Sequence, residues 1–190
     1  MNLIAGKIVP LCLLLALTSL QAFAGDVHVN QLEIKREGKE KFVLVFNLNL
    51  PQVMHQLLAP QASFSEFLKN YSEMPEIEFQ KAIDKVKAML SASSFFVLPS
   101  GDRMKFKQWQ LPANQALREA FKASAFLLNF PAGPLSHLPP VPVLAESQSK
   151  TPVSRVQLEL SKALNPIFVK AKADQFWLTE QIPLAIINLE

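Results

Sequence analysis

A period of two runs through Phe42–Leu50 and constrains the possible folds more than any other feature of the chain. One face of this segment carries only large apolar side chains, namely Phe42, Leu44, Phe46, Leu48 and Leu50. This pattern predicts a β-strand that covers a core on one side. Val27–Ile34 also alternates, with a one-residue slip at Asn30-Gln31 that predicts a bulge. Glu37-Gly38-Lys39 predicts the turn of a hairpin between the two strands.

Helices are predicted directly after this hairpin. Pro51 opens the first, Ser63-Phe64-Ser65-Glu66 forms a capping box for the second, and Pro75–Ser91 carries an apolar stripe. Further strands are predicted over 94–98, 103–111, 125–130, 153–161, 167–173 and 182–189, with another helix over 114–122. The order strands, helices, strands favours an α+β fold. We expect a mainly antiparallel β-sandwich-like domain with a helical insertion at roughly 51–91.

The N-terminus has the three parts of a secretory signal peptide. Lys7 precedes an apolar run from Ile8 to Leu17, and Ala22-Phe23-Ala24 supplies the small residues of a cleavage site. The apolar run is shorter than the roughly 20 residues that span a bilayer, which favours a cleaved peptide over a membrane anchor. We therefore expect a signal peptide at 1–24 and a single exported β-rich domain at 25–190, in the periplasm or outside the cell.

Cysteine content, charge and proline content narrow the class of protein. The only cysteine, Cys12, lies in the predicted signal peptide, so the mature domain is expected to depend on its apolar core and not on disulfides. The formal net charge of +3 is small and the lysines are interspersed with acids, unlike the clustered basic face of a nucleic-acid-binding protein. Residues 131–152 contain six prolines, which predicts a long surface loop.

No constellation of residues predicts a catalytic, cofactor or metal site. The three histidines, His28, His55 and His137, lack the close spacing of metal ligands. The densest acidic stretch consists of Glu73, Glu76, Glu78 and Asp84, and its interspersed lysines predict a solvated helix face. The chain also lacks a Gly-x-Ser-x-Gly motif and a glycine-rich phosphate loop. We therefore expect no enzymatic activity, cofactor or metal.

Trp109, Phe176 and Trp177 leave two interpretations open. These aromatic side chains can pack in the core of the sandwich or at its rim, or they can form a surface that binds a sugar or an aromatic ligand. The apolar stripe of Phe79–Leu90 allows a similar choice, because it can cover the sheet or line a pocket for an apolar ligand.

Five stretches of the chain, taken in order, carry a resemblance to a known family. They are Gln31-Leu32-Glu33-Ile34, Phe42–Leu50, Phe79–Leu90, Leu98-Pro99-Ser100-Gly101-Asp102 and Leu160–Val169. This order resembles that of the extracytoplasmic N-terminal regions of bacterial HupE/UreJ-type membrane proteins. The membrane-spanning helices that follow this region in that family are not predicted here before Glu190. The resemblance implies an exported β-rich accessory domain.

Together these features predict an exported, non-enzymatic binding or accessory domain whose expected partner is an envelope membrane protein. The alternative is a carrier or sensor of a small apolar ligand, and a hydrolase with unrecognised carboxylates is the third possibility. We expect no nucleic acid among the partners and no stable membrane insertion after signal cleavage. The oligomeric state is left open by the sequence.

Overall fold

Strands and helices occupy most of residues 30–128, 140–172 and 174–188, which the computed structural model describes. The strands are β1 (Asn30–Glu37), β2 (Lys41–Leu48), β3 (Phe95–Val97), β4 (Arg103–Lys105), β5 (Lys107–Gln110), β6 (Val141–Gln148), β7 (Arg155–Glu159), β8 (Ile167–Ala171), β9 (Asp174–Leu178) and β10 (Leu184–Asn188). The α-helices are α1 (Leu50–Leu58), α2 (Phe64–Glu73), α3 (Glu76–Ser93) and α4 (Asn114–Leu128), and a 3-10 turn covers Lys162–Leu164.

These strands form two mostly antiparallel sheets. A six-stranded sheet has the order β5-β6-β2-β1-β8-β9, and a four-stranded sheet has the order β10-β7-β3-β4. Every pair in the described residues is antiparallel except β1 with β8, which run parallel from Asn30 opposite Ile167 to Ile34 opposite Ala171. The fold is therefore α+β, as the sequence predicts, and the parallel pair is an addition that local patterns did not indicate.

The predicted hairpin of β1 and β2 lies at the centre of the larger sheet. Gly38 adopts a φ of 81° in the turn, a conformation that glycine reaches without steric cost. The predicted apolar face of β2 is confirmed, because Phe42, Leu44, Phe46 and Leu48 are all fully buried. The predicted strand residues Val27 to Val29 lie outside the described residues. The bulge predicted at Asn30-Gln31 is wrong, because β1 pairs in unbroken register with β8 from Asn30 and with β2 from Gln31.

Aromatic contacts join the inner faces of the two sheets. Phe96 of the four-stranded sheet packs edge to face against Phe42 and Phe106, with ring centroids 5.7 and 4.8 Å apart. Within the larger sheet, Phe46 of β2 stacks on Trp109 of β5 at 5.1 Å. Such pairs stabilise by about 0.5–1.5 kcal/mol beyond the burial of their area. One core cluster contains side chains from both sheets and all four helices.

The helical insertion begins and ends close to its predicted bounds, with α1 starting at Leu50 and α3 ending at Ser93. The capping box that opens α2 is confirmed, since the Ser63 hydroxyl accepts a hydrogen bond from the Glu66 N–H at 3.2 Å. The apolar stripe of α3 lies in the core, with Phe79, Ile83, Val86 and Leu90 buried.

The predicted loop at 131–152 is wrong over Val141–Gln148, which form β6 in the interior of the larger sheet. The prolines of this segment obscured the strand pattern, in which every second residue, Val143, Ala145 and Ser147, is buried. Pro142 lies opposite Asn47 of β2, before the stretch from Leu144 onwards where β6 also pairs with β5. Residues 131–139 of this predicted loop lie outside the described residues.

Two further element predictions are corrected. The extended stretch 103–111 is two strands, since β4 pairs with β3 in one sheet and β5 pairs with β6 in the other. A positive φ of 53° at Gln108 accompanies the register shift that turns this corner. The strand predicted over 125–130 is wrong as far as Leu128, because α4 continues to that residue.

Core packing predicts a large difference between two neighbouring substitutions in β2. Phe46→Ala removes a fully buried ring that stacks on Trp109, and we expect it to lower the free energy of unfolding by about 3–5 kcal/mol. Asn47→Ala, on the half-exposed opposite face, should cost less than about 1 kcal/mol. Urea denaturation of the two variants measures both values, and equal losses would contradict the one-sided burial of this strand.

Candidate functional site

The three aromatic residues that the sequence left open occupy three different environments. Trp109 is 6% exposed and belongs to the core. Phe176 is half-buried and packs against the same core from β9. Trp177, the next residue, points to the opposite face, where it is 46% exposed and lies 5.1 Å from the Phe168 ring. The structure therefore does not bring them together as one aromatic surface.

The predicted acidic stretch is exposed and engaged in contacts between helices. Glu76 of α3 forms an ion pair with Arg118 of α4 at 3.3 Å, and it accepts a hydrogen bond from the Asn114 amide at 2.6 Å. Asp84 accepts a hydrogen bond from Gln80 at 2.9 Å on its own helix. The contacts of Glu76 fasten α3 to α4. The side chains of Glu73, Glu76, Glu78 and Asp84 face solvent as predicted.

Histidines and acids in the described ranges do not meet in groups of three or more that could hold a metal ion. The His55 ring is hydrogen-bonded through Nε2 to the Ala62 carbonyl oxygen at 2.9 Å and packs against Phe64 and Phe67. This arrangement gives His55 a structural role at the junction of α1 and α2. His28 and His137 lie outside the described residues.

Tyr71 has a perturbed environment within the helical layer. Its ring lies 4.2 Å from the Phe67 ring and 5.9 Å from the Phe121 ring. Burial disfavours the charged phenolate and raises the pKa of Tyr71 above its ordinary value. The residue is part of an aromatic cluster between α2 and α4, away from either surface described below.

An apolar groove of about 440 Å³ lies between α4, the start of α1 and the start of β6. Its lining includes Pro51, Pro112, Ala116, Ala120, Ala123 and Val141. Glu119 is the only charged residue in this lining. The stripe of α3 between Phe79 and Leu90, where the sequence left open a ligand pocket, is instead filled by packed side chains.

A second surface is the outward face of the four-stranded sheet. Strand register places on it Phe95 and Val97 of β3, Arg103 and Lys105 of β4, Arg155, Gln157 and Glu159 of β7, and Leu184, Ile186 and Asn188 of β10. A groove of about 320 Å³ crosses this face. Val97, Pro99, Arg155, Gln157 and Ile186 are among the residues that line it. We call this surface the small-sheet face.

Apolar side chains are unusually accessible at the β10 side of the small-sheet face. Leu184 and Ile186 expose 43 and 54% of their surface. Ile182, in the turn that leads into β10, exposes 59%. Scattered exposed apolar residues are normal on proteins, but three close together in sequence beside a groove are typical of a binding surface.

Positive charge is in excess on the small-sheet face. Arg103, Lys105 and Arg155 point outward, whereas Glu159 is the only acidic residue among the outward strand positions. The Arg103 guanidinium lies 4.5 Å above the Phe95 ring. Glu159 accepts a hydrogen bond from the Gln157 amide at 2.9 Å.

The outward face of the six-stranded sheet has a different charge arrangement. There Lys35 pairs with Glu33 at 3.2 Å, and Lys41 donates to Glu146 at 3.2 Å. The hydrogen bonds to Glu146 and Glu37 raise the pKa of Lys41 above its ordinary value. Lys35 and Lys41 are therefore paired with neighbouring carboxylates, in contrast with Arg155 on the small-sheet face.

Sequence reasoning missed both grooves. Each is lined by residues distant in the chain, such as Pro51 with Ala120, or Val97 with Ile186. The signal that could have indicated the small-sheet face was the C-terminal strand, whose residues Ile182–Leu189 include no charged side chain. From the sequence alone, this uncharged stretch predicts only a strand.

The chain matches no protein-family model, no curated protein and no solved structure. The α-helices in the described ranges are too short or too polar to cross a membrane. Function must therefore be argued from the surfaces themselves.

Burial of Tyr71 predicts a measurable pH dependence. Tyr71 is the sole tyrosine of the chain, so ultraviolet absorbance of tyrosinate reports on it alone. We expect its titration midpoint to lie above the ordinary value of about 10 in the folded protein and to return to that value in urea. Because the unfolded chain then loses this proton first, the tyrosine's contribution to stability is full below pH about 10 and declines above it.

Tyr71→Phe is the matched variant for this measurement. The difference in stability between the two proteins should change with pH only in the alkaline range where tyrosine ionises. A folded-state midpoint at or below the ordinary value would contradict the burial of the hydroxyl.

Proposed function

We propose that the protein is an exported, non-enzymatic binding domain that acts by docking a partner protein on the small-sheet face. The observation that carries this proposal is the exposure of Leu184 and Ile186 on β10 beside the groove. Burial of this apolar surface by a partner would be favourable, and the surrounding polar and charged groups resemble the rim of a protein interface.

Export is supported by the sequence of the first 24 residues, with Lys7, the apolar run and Ala22-Phe23-Ala24. The proposed partner is an envelope membrane protein, since the order of the strand and helix segments resembles the extracytoplasmic regions of HupE/UreJ-type proteins. A non-enzymatic role is supported by the acidic stretch, whose members are solvated and make contacts within the helical layer.

Site-specific photo-crosslinking tests this function in cells that produce the full chain. Benzoylphenylalanine incorporated at position 186 should give one adduct with an envelope membrane protein, and the crosslinked chain should begin at Gly25 in the extracytoplasmic fraction. Leu184→Asp should abolish the adduct, because a carboxylate at the interface must be desolvated. The variant should keep the thermal midpoint of the parent, since Leu184 is exposed.

Position 177 provides the matched control, because Trp177 is similarly exposed on the other sheet. An adduct at 177 but not at 186 would place binding on the six-stranded sheet and contradict the proposed surface. Adducts with many unrelated proteins at both positions, or none at 186, would contradict a specific partner. A chain that retains Met1 in the cell interior would contradict export.

The apolar groove beside α4 favours a second function, which is transport or sensing of a small apolar ligand. Its volume of about 440 Å³ is within the range of small-molecule sites, and its walls are mostly alanine and proline. Glu119 at its border would disfavour anionic ligands. We therefore propose a neutral or cationic apolar molecule as the ligand under this alternative.

Fluorescence of the neutral probe N-phenylnaphthylamine tests the alternative. Ala120→Phe fills the groove with a ring and should remove most of the fluorescence enhancement. Ala88→Phe, which adds the same ring to an exposed position of α3, should leave the enhancement unchanged. Equal enhancement by both variants would show that the probe binds elsewhere and would contradict a ligand site in this groove.

A further inference from the structure

Charged side chains protect the edges of both sheets, with one exception. The edge strands in the described residues are β5 and β9 in the larger sheet and β4 and β10 in the smaller. Natural proteins place charges on edge strands because these disfavour pairing with other chains. Lys107 lies on β5, Asp174 on β9, and Arg103 and Lys105 on β4. By contrast β10, Leu-Ala-Ile-Ile-Asn, carries no charge.

The fold nevertheless holds β10 firmly on one side. Its five residues pair with β7, and Ile187 is fully buried in the core. Within the described ranges no strand pairs with the other edge of β10. This leaves backbone donors and acceptors on that edge, next to the exposed side chains of Leu184 and Ile186. Within the described residues, this edge is therefore ordered and open to an added strand.

Charge next to β10 indicates what kind of segment fits there. Arg155 lies on β7 opposite Asn188, points outward, and makes no hydrogen bond or ion pair with another described residue. Glu159, opposite Leu184 at the other end, is already hydrogen-bonded to Gln157. The cation beside the uncharged edge is thus the group that lacks a partner.

We propose that β10 binds an extended segment of the partner by strand addition, and that this segment carries a carboxylate within reach of Arg155 and an apolar side chain beside Ile186. The inference rests on the proposed docking function and specifies its partner chemistry. Backbone hydrogen bonds would supply affinity, while the alternate side chains would supply specificity.

Two other occupants fit the surface less well. A second copy of β10 would bring a strand whose five described residues carry no charge, so those residues would supply no carboxylate to Arg155. An anionic membrane would attract Arg103, Lys105 and Arg155, but it offers no backbone groups to an unpaired strand edge. An extended segment with acidic and apolar side chains can pair a carboxylate with Arg155 and form backbone hydrogen bonds with the open edge of β10.

Fluorescence anisotropy with labelled synthetic peptides tests this proposal on the mature protein. The probe is a capped peptide in which aspartate and valine take turns at every second position, with threonine between them, so that both lie on one face of the added strand. It is compared with a peptide that has lysine in place of each aspartate. We expect the acidic peptide to bind more tightly. A version of the acidic peptide that is N-methylated at alternate residues should lose binding, because methylation removes the backbone donors along one edge and leaves the side chains in place.

Three variants locate the binding. Ile186→Asp puts a carboxylate on the edge, where it repels the acidic peptide and must be desolvated, and should abolish binding. Trp177→Asp adds the same charge to the exposed edge strand of the other sheet and should not. Arg155→Glu should lower the affinity for the acidic peptide by about threefold or more and raise the affinity for the basic peptide, as expected for exposed charge pairs. Arg155 is exposed, so this variant should fold normally.

The outcomes separate this inference from the proposed function. Absence of peptide binding, or unchanged binding after N-methylation or in Arg155→Glu, would overturn strand addition by an acidic segment. Crosslinking at position 186 could then still support docking by another mode. Dimerisation in analytical ultracentrifugation that Ile186→Asp abolishes would assign the edge to a second copy instead. Binding to phosphatidylglycerol vesicles that Ile186→Asp abolishes would assign it to a membrane, and either result would overturn the proposal.

Discussion

Aromatic contacts between the two sheets are the interaction on which the rest of the structure depends. Phe96 from the smaller sheet meets Phe42 of β2 and Phe106, which lies between β4 and β5, and these contacts fix the smaller sheet against the larger one. Within the larger sheet, Phe46 of β2 stacks on Trp109 of β5. Since the described residues contain no cysteine, this packing and the helical layer supply the cohesion that disulfides give many small exported domains.

The same packing positions the small-sheet face. Strand alternation means that burying Leu158 and Ile187 inward forces Gln157 and Ile186 outward. The groove and the exposed apolar residues of β10 are therefore a geometric consequence of how the inner face is filled. The exposed apolar residues of the proposed docking surface lower the stability of the fold little, because the inward side chains of the same strands pack in the core.

Local patterns were sufficient for features that depend on neighbours in the chain. The period of two in β2, the capping box at Ser63 and the stripe of α3 are such features, and the structure confirms each. Features that depend on distant segments were not accessible. Proline-rich composition hid β6, whose place between β2 and β5 is set by tertiary pairing, and the assembly of the small-sheet face from β3, β7 and β10 required the fold itself.

Parallel pairing of β1 with β8 has a consequence for the order of assembly. Asn30 lies opposite Ile167, so the larger sheet is incomplete until nearly the whole chain is available. Contacts between segments so far apart in sequence slow folding because a long loop must close before they form. The central hairpin therefore keeps the β1 edge without its neighbour until residues 167–171 have been synthesised.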